Sequence, residues 1–279
     1  MHVKIDVILL ERMVIMKISN SKIDDGKAFD WGLTSKEYAK YRDIYPDEFY
    51  KKIIDRGLCI DGQKVLDLGT GTGVLPRNMY RYGAEWTGTD ISENQISEAI
   101  KMSREANMDI RYMVSSSENI DFDSDMFDVV TSCQCFWYFD HKVLAPKLHK
   151  IIKKGGHLLV LFMAWLPFED KIAGESEKII LKYNPVWSGC GEKKHPINID
   201  EAILEYFDFA GHEEYDIMVP FTRETWHGRM KACRGVGASL SPEEIALWEN
   251  EHLDMLNKMA PDRFNIHHYA ALADLVVKK

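Results

Sequence analysis

No apolar run in the 279-residue chain is long enough to cross a bilayer. The run nearest the start, Val7-Ile8-Leu9-Leu10, is bracketed by Asp6, Glu11 and Arg12, and no small-residue cleavage site follows it. A soluble, cytoplasmic protein with no membrane partner is the resulting expectation. Cysteine is sparse and unpaired in pattern: Cys59, Cys133, Cys135, Cys190 and Cys233 make an odd count without CxxC spacing. Neither a disulfide framework nor a metal site is expected from them. Positive charge is also short, with 35 Lys and Arg against 44 Asp and Glu and a net charge of −9. That weighs against a nucleic-acid partner, which usually selects a basic face. Internal repeats and low-complexity stretches are lacking as well, so one main globular domain is expected, as monomer or homodimer.

What is present concentrates in one stretch. Val65-Leu66-Asp67-Leu68-Gly69-Thr70-Gly71-Thr72-Gly73 joins an apolar strand bearing a carboxylate to a turn with three glycines. Glycine suits such a turn because it takes positive φ and, lacking Cβ, lets backbone approach a ligand closely. The dinucleotide fingerprint GxGxxG would need glycine at position 74, where the chain has Val74; the spacing here is GxGxG. A carboxylate two residues before the first glycine would repel a pyrophosphate. S-adenosylmethionine, with an ammonium and a sulfonium, favours a negative neighbour instead. The turn points to a methyl donor ahead of a nicotinamide.

Strands are expected at 64–68, 85–89 (ending at Asp90), 110–114, 127–132 and 157–163, separated by helices. Pro76 suits a first helical turn, and Ser92 with Gln95 suits a capping box. A helix from His141 to Ile152 leads through Lys153-Lys154-Gly155-Gly156, expected as a turn, into the fifth strand. Helices are expected near 35–45, 169–183, 200–207, 222–234 and 241–259, and closing strands at 213–220 and 265–277. The pattern predicts an α/β, Rossmann-like fold: a seven-stranded, mostly parallel sheet with helices on both faces. An insertion after strand five lies where a lid could sit. Residues 1–34 are expected as an N-terminal extension, the first sixteen loosely attached or an extra helix. Residues 35–279 form the main domain, with 165–200 and 221–260 as candidate caps on the acceptor side.

These motifs carry a family resemblance. The glycine stretch, Thr87-Gly88-Thr89-Asp90-Ile91-Ser92, Ser116-Ser117-Glu118-Asn119-Ile120, Phe127-Asp128-Val129-Val130 and Leu148 to Leu159 follow one another as motifs do in class I S-adenosylmethionine-dependent methyltransferases. The chain resembles their small-molecule type, which includes ubiquinone-biosynthesis and trans-aconitate methyltransferases, over roughly residues 35–163. The resemblance implies S-adenosylmethionine as cofactor, S-adenosylhomocysteine as product and a small-molecule acceptor. It implies that the backbone of Gly69, Thr70, Gly71 and Gly73 runs under the methionine and ribose, with Asp67 near the amino end. Asp90 would accept the ribose hydroxyls and Ile91 would lie against the adenine. Ser116, Ser117 and Glu118 would form the adenine loop, although Ser116 stands where the family often has aspartate. Lys154 likewise replaces the usual proline. Tyr38, Tyr41 and Arg42 resemble the tyrosine-rich first helix that folds over cofactor and acceptor; Gln95 and Cys133 fall on the cofactor side.

Cys133 to Phe139 follows the fourth strand, and its aromatic density suggests an acceptor wall of Gln134, Trp137 and Tyr138, joined by Tyr41, Trp165, Trp187 and Trp226. Cys133-Gln134 is similar to the nucleophile segment of cytosine-5 methyltransferases, but Ser132 replaces their proline, and packing is the simpler role. No Asn/Asp-Pro-Pro-Tyr/Phe segment is present. Candidate bases are His141, His195 and His227, and Arg223 or Arg229 could hold a carboxylate. Methylation of RNA or protein, and a non-catalytic cofactor-binding sensor or partner subunit, stay open as alternatives.

Overall fold

The computed structural model describes residues 4–10, 13–19, 21, 23–34, 39–41 and 43–279. The first sixteen residues are expected to be loose or helical, yet β1 (Lys4–Leu10) and β2 (Met13–Ser19) form a two-stranded antiparallel sheet with Lys4 opposite Ser19. Both stretches are rich in Val, Ile and Met, and each supplies the other's ladder of backbone partners. Of the expected helix at 35–45, residues 35–38 and 42 lie outside the described residues, 39–41 are helical and 43–45 are not.

The chain divides into two compact units, one of residues 45–163, 195–215 and 270–279, the other of 1–44, 164–194 and 216–269. The first holds most of the sheet. It opens with α1 (Asp47–Ile54) and β3 (Lys64–Leu68), followed by α2 (Val74–Met79), β4 (Glu85–Asp90), α3 (Glu93–Glu105) and β5 (Arg111–Val114). Then come β6 (Phe127–Cys133), α4 (His141–Ile151) and β7 (Ile152–Trp165). The short α6 (Glu201–Leu204) leads into β8 (Phe207–Thr222), and β9 (Arg263–Val277) ends the sheet. Capping fixes the helix starts: Ser92 accepts from the Gln95 amide at 3.4 Å and Asp140 from the Lys142 amide at 3.1 Å.

Strand order is β5-β4-β3-β6-β7-β9-β8. β3 pairs in parallel with both β4 and β6, β4 with β5, and β6 with β7. The sheet is seven-stranded, Rossmann-like and mostly parallel, with some antiparallel pairing. Winding runs from β3 outward to β5, then returns to β6 on β3's other side. The direction of winding therefore reverses between β3 and β6, which opens a crevice at their carboxyl ends.

Two boundaries differ from expectation. Lys153–Gly156 lies within β7, because pairing with β6 shifts register between Phe127 and Val129, whose partners are Ile152 and His157. The extra residues are absorbed as a bulge, with Gly155 at φ 74°. The helix expected at 200–207 shrinks to α6, and β8 begins at Phe207.

The other unit contains β1, β2, α5 (Lys171–Tyr183), α7 (Arg223–Lys231) and α8 (Pro242–Met259). Ser241 caps α8 in a capping box with Glu244, and Pro242 occupies its first turn. Trp226, Trp248 and His252 are fully buried there.

Candidate functional site

The glycine turn follows β3 and stands over the crevice. Gly69, Gly71 and Gly73 have φ of 62°, 56° and 73°. Side chains are strained at such angles, so the turn requires glycine. A Cβ on Gly69 would also come within 2.6 Å of Cys135 Sγ. Three backbone donors pin the turn: Thr70 N to Thr89 O at 2.9 Å, Gly73 N to Thr70 O at 2.9 Å, and Gly71 N to Asp90 Oδ2 at 2.9 Å.

Asp90 ends β4 and takes the Ser92 amide on its other oxygen, Oδ1, at 2.8 Å. Each carboxylate oxygen has two lone pairs, so both keep capacity for further donors. Burial raises the Asp90 pKa, and the amides from Ser92 and Gly71 oppose that rise. Asp67 sits deeper, at 2% exposure, and accepts Thr131 Oγ1 at 2.6 Å. Burial pushes its pKa up to about 6, against the pull of Thr131 and Thr70 and with a push from Asp90. Among the described residues no basic side chain figures in the surroundings that shift either acid.

Register explains this neighbourhood. Asp67 lies opposite Gly88 on one side and Thr131 on the other, and Gly88 lies opposite Tyr112. Thr131, Asp67, Gly88 and Tyr112 therefore form one row across the sheet, all on one face. Thr131, Tyr112 and Cys135 were not foreseen as parts of the site. A glycine inside β4 was the available signal, since a strand glycine often marks a close approach. Cys135 donates to Leu68 O at 3.1 Å, and burial raises its pKa well above the usual thiol range, so it packs as a neutral thiol.

Of the remaining residues assigned to the cofactor side, Ile91 and Ser116 are half-buried, and Gln95 and Ser117 are buried. Glu118 Oε1 accepts the Asp140 amide at 2.9 Å, which ties the 116–118 loop to the start of α4. The Cys133 thiol contacts Tyr45 OH at 3.5 Å. Tyr38 and Arg42 lie outside the described residues.

The segment after β6 turns sharply, with Gln134 at φ 70° and its side chain donating to Met163 O at 2.6 Å. Trp137 packs edge-on to Phe162 with centroids 5.0 Å apart, and Phe162 stacks at 6.3 Å with the exposed His195; Tyr138 is half-buried. His141 stacks on Phe136 at 4.3 Å, and its Nε2 faces Phe136 O at 2.9 Å.

Tyr41, Trp165, Trp187, Trp226 and His227 belong to the other unit. Trp165, Trp187 and Trp226 are 7%, 4% and 0% exposed, so they pack in that unit's interior. Trp165 donates to Glu177 at 2.6 Å, Trp226 donates to Ser176 at 3.0 Å, and Arg229 lies 4.9 Å over the Trp165 ring. His227 pairs with His252 at 2.8 Å. Tyr41 donates to Glu224 at 3.1 Å, and a Cβ on Gly228 would overlap its ring. Arg223 donates to Ala260 O at 2.8 Å.

A doubly wound sheet with a glycine turn after β3, an acid at the end of β4 and a crevice between β3 and β6 has the layout in which open α/β sheets bind ligands at their strands' carboxyl ends. Residues 66–160 match the family model of the methyltransferase domain. It is similar to the ubiquinone biosynthesis O-methyltransferase of Coxiella burnetii, 30% identical over 108 residues, which cover 38% of this chain and 46% of that one. This chain thus spans about half the length of the curated relatives it matches. In fold it resembles the YcgJ protein of Bacillus subtilis, with a TM-score of 0.52 and 16% identity, covering 84% of this chain and 100% of that one. The cyclase SpnF is also similar in fold, with a TM-score of 0.50 and 16% identity, covering 83% and 81%.

Proposed function

We propose that the protein transfers a methyl group from S-adenosylmethionine to a small organic acceptor and releases S-adenosylhomocysteine. The observation that carries this reading is the pair of acids, Asp67 and Asp90, set around a glycine turn without a basic partner among the described residues. A cationic donor gains from two carboxylates where a pyrophosphate would be repelled. The Thr72 and Thr89 hydroxyls, buried in the turn and its flanking strand without a hydrogen-bond partner among the described residues, also suit a polar ligand there.

When bound, the donor supplies a methyl group already activated on a sulfonium. The chain's residues have the remaining tasks. Asp90 would accept the ribose hydroxyls on its unused lone pairs, and Asp67 would balance the ammonium charge through the turn. The glycine backbone passes close without side chains in the way. Catalysis then rests on holding the acceptor in line, excluding water and removing a proton where the acceptor is neutral. The Trp137 and Phe162 rings offer an apolar wall in the same unit, and His195 at its exposed end is the base we favour of the three candidates. The similarity to ubiquinone biosynthesis O-methyltransferases supports a small organic acceptor. The net charge of −9 supports the same class over RNA.

The test is to supply methyl-labelled S-adenosylmethionine and purified protein to a fractionated cell extract. Label in the small-molecule fraction is the expected result. Label in RNA or protein would move the acceptor class, and cofactor binding without transfer into any fraction would favour a sensor.

A further inference from the structure

The phenol of Tyr112 reaches from β5 across the face of the sheet to the glycine turn. Its register neighbour on β4 is Gly88, and a Cβ there would lie 2.9 Å from Tyr112 Cδ1 and 2.8 Å from Thr70 Oγ1. Only a residue without a side chain leaves that path open. At the far end a Cβ on Gly73 would overlap the Tyr112 hydroxyl, so oxygen and turn backbone are in direct contact. The same hydroxyl shares a hydrogen bond of 3.0 Å with Ser103 Oγ, and Ser103 is 2% exposed on α3. Two glycines on different elements are cleared around one ring, and a buried serine fixes its tip. Burial also pushes the Tyr112 pKa up to about 12, so the group stays a neutral phenol at any working pH.

We infer that Tyr112 is a positioning residue: anchored on Ser103, its hydroxyl is the post on which Gly73 rests, and through Gly73 it sets the height of the whole turn. The significance for ligand binding rests on the methyl-donor reading; the support of the turn does not. Gly73 starts α2, and its amide closes the turn onto Thr70, so a shift at Gly73 displaces the donors and glycines facing the crevice.

The experiment compares the full-length wild type, Tyr112→Phe, Ser103→Ala and the double variant. Amide hydrogen exchange is followed at Thr70, Gly71 and Gly73 and in β7, and S-adenosylhomocysteine affinity is measured by calorimetry. Phe keeps the ring beside Gly88 and removes only the oxygen; Ser103→Ala keeps the oxygen and removes its anchor. Each single variant should speed exchange at the turn, leave β7 unchanged and weaken binding about three- to tenfold, the weight of one hydrogen bond. The double variant should be no weaker than Tyr112→Phe, because both changes act through one contact. Unchanged exchange at the turn, additive losses, or faster exchange in β7 as well would overturn the inference. Faster exchange confined to the turn in a protein whose wild type binds no S-adenosylhomocysteine would uphold Tyr112 as the post and sink the methyl-donor reading.

Discussion

At the scale of single residues, the two acids of the site do different work. Asp90 is half-buried at a strand end with both oxygens already held by backbone amides, so it is oriented before any ligand arrives. Asp90→Ala should weaken S-adenosylhomocysteine binding by about 1.5–3 kcal/mol, the range for hydrogen bonds to a charged group, and calorimetry would measure it. Unchanged affinity would move the ribose site elsewhere. Asp67 is instead a proton-sensitive group. Its pKa rises from 3.8 to about 6 in the fold, first through burial. Between those values the folded chain binds more protons than the unfolded one. The resulting stabilisation, about 3 kcal/mol, is full at low pH and is lost as pH rises through the folded value. A cationic ligand has the opposite preference, because it is attracted only to the ionised form. Affinity for the ammonium-bearing S-adenosylhomocysteine should therefore climb between about pH 5 and pH 7, and Asp67→Asn should flatten that climb. An equally steep profile in the variant would show that another group controls it.

At the scale of elements, three helices of the second unit are tied by one polar chain. Ser176 on α5 gives its only hydroxyl hydrogen to Ile172 O at 2.8 Å, so it accepts from Trp226 Nε1 on α7 and from His252 Nε2 on α8 at 2.9 Å. His252 Nδ1 then has a lone pair and accepts from His227 Nδ1 at 2.8 Å. A second proton on His252 would point at that donor. Burial and the nearby His227 push the His252 pKa down to about 3, while Glu249 and Lys231 sit beside His227, whose pKa burial also lowers. Here the unfolded chain binds the extra proton, so stability is full above about pH 6.5 and falls as the solution is acidified. Tm should drop from about pH 6.5 to pH 5, and His252→Phe should start lower but drop less. A parallel drop in the variant would place the acid sensitivity elsewhere. Elements of this kind were only partly legible in the sequence. β3, β4, β6 and the helices α3 and α8 follow from apolar runs and caps, and Asp67, Gly69 to Gly73 and Asp90 from a contiguous motif. β1 and β2 did not, because a two-stranded ladder is specified by its partner and not by either run alone. Thr131 and Tyr112 join the site only through strand register, with Gly88 as the one local sign of it, and Lys153–Gly156 enters β7 only through a bulge.

At the scale of the whole molecule, the chain passes between its two compact units at residues 44–45, 163–164, 194–195, 215–216 and 269–270, so neither is a contiguous piece. The sheet unit depends on the last ten residues. Ala270, Ala273 and Leu275 are 0% exposed, and Ala271 and Leu272 are 1% and 3% exposed. Asp274 pairs with His157 of β7 at 2.6 Å, and the Lys278 amide donates to Tyr206 O at 2.9 Å, beside the start of β8. Deleting 270–279 would therefore remove part of the strand between β7 and β8, leaving both with only a shortened neighbour. Each lost buried leucine costs about 2–5 kcal/mol, and a domain's total stability is about 5–15 kcal/mol, so the two leucines with their alanine neighbours can consume most of it. A chain ending at residue 269 should show no cooperative thermal transition and no S-adenosylhomocysteine binding, although the glycine turn, Asp67 and Asp90 all remain in its sequence. A cooperative melt with cofactor affinity kept would mean that β3 to β7 sustain the site alone, and that β8 and β9 serve the acceptor side.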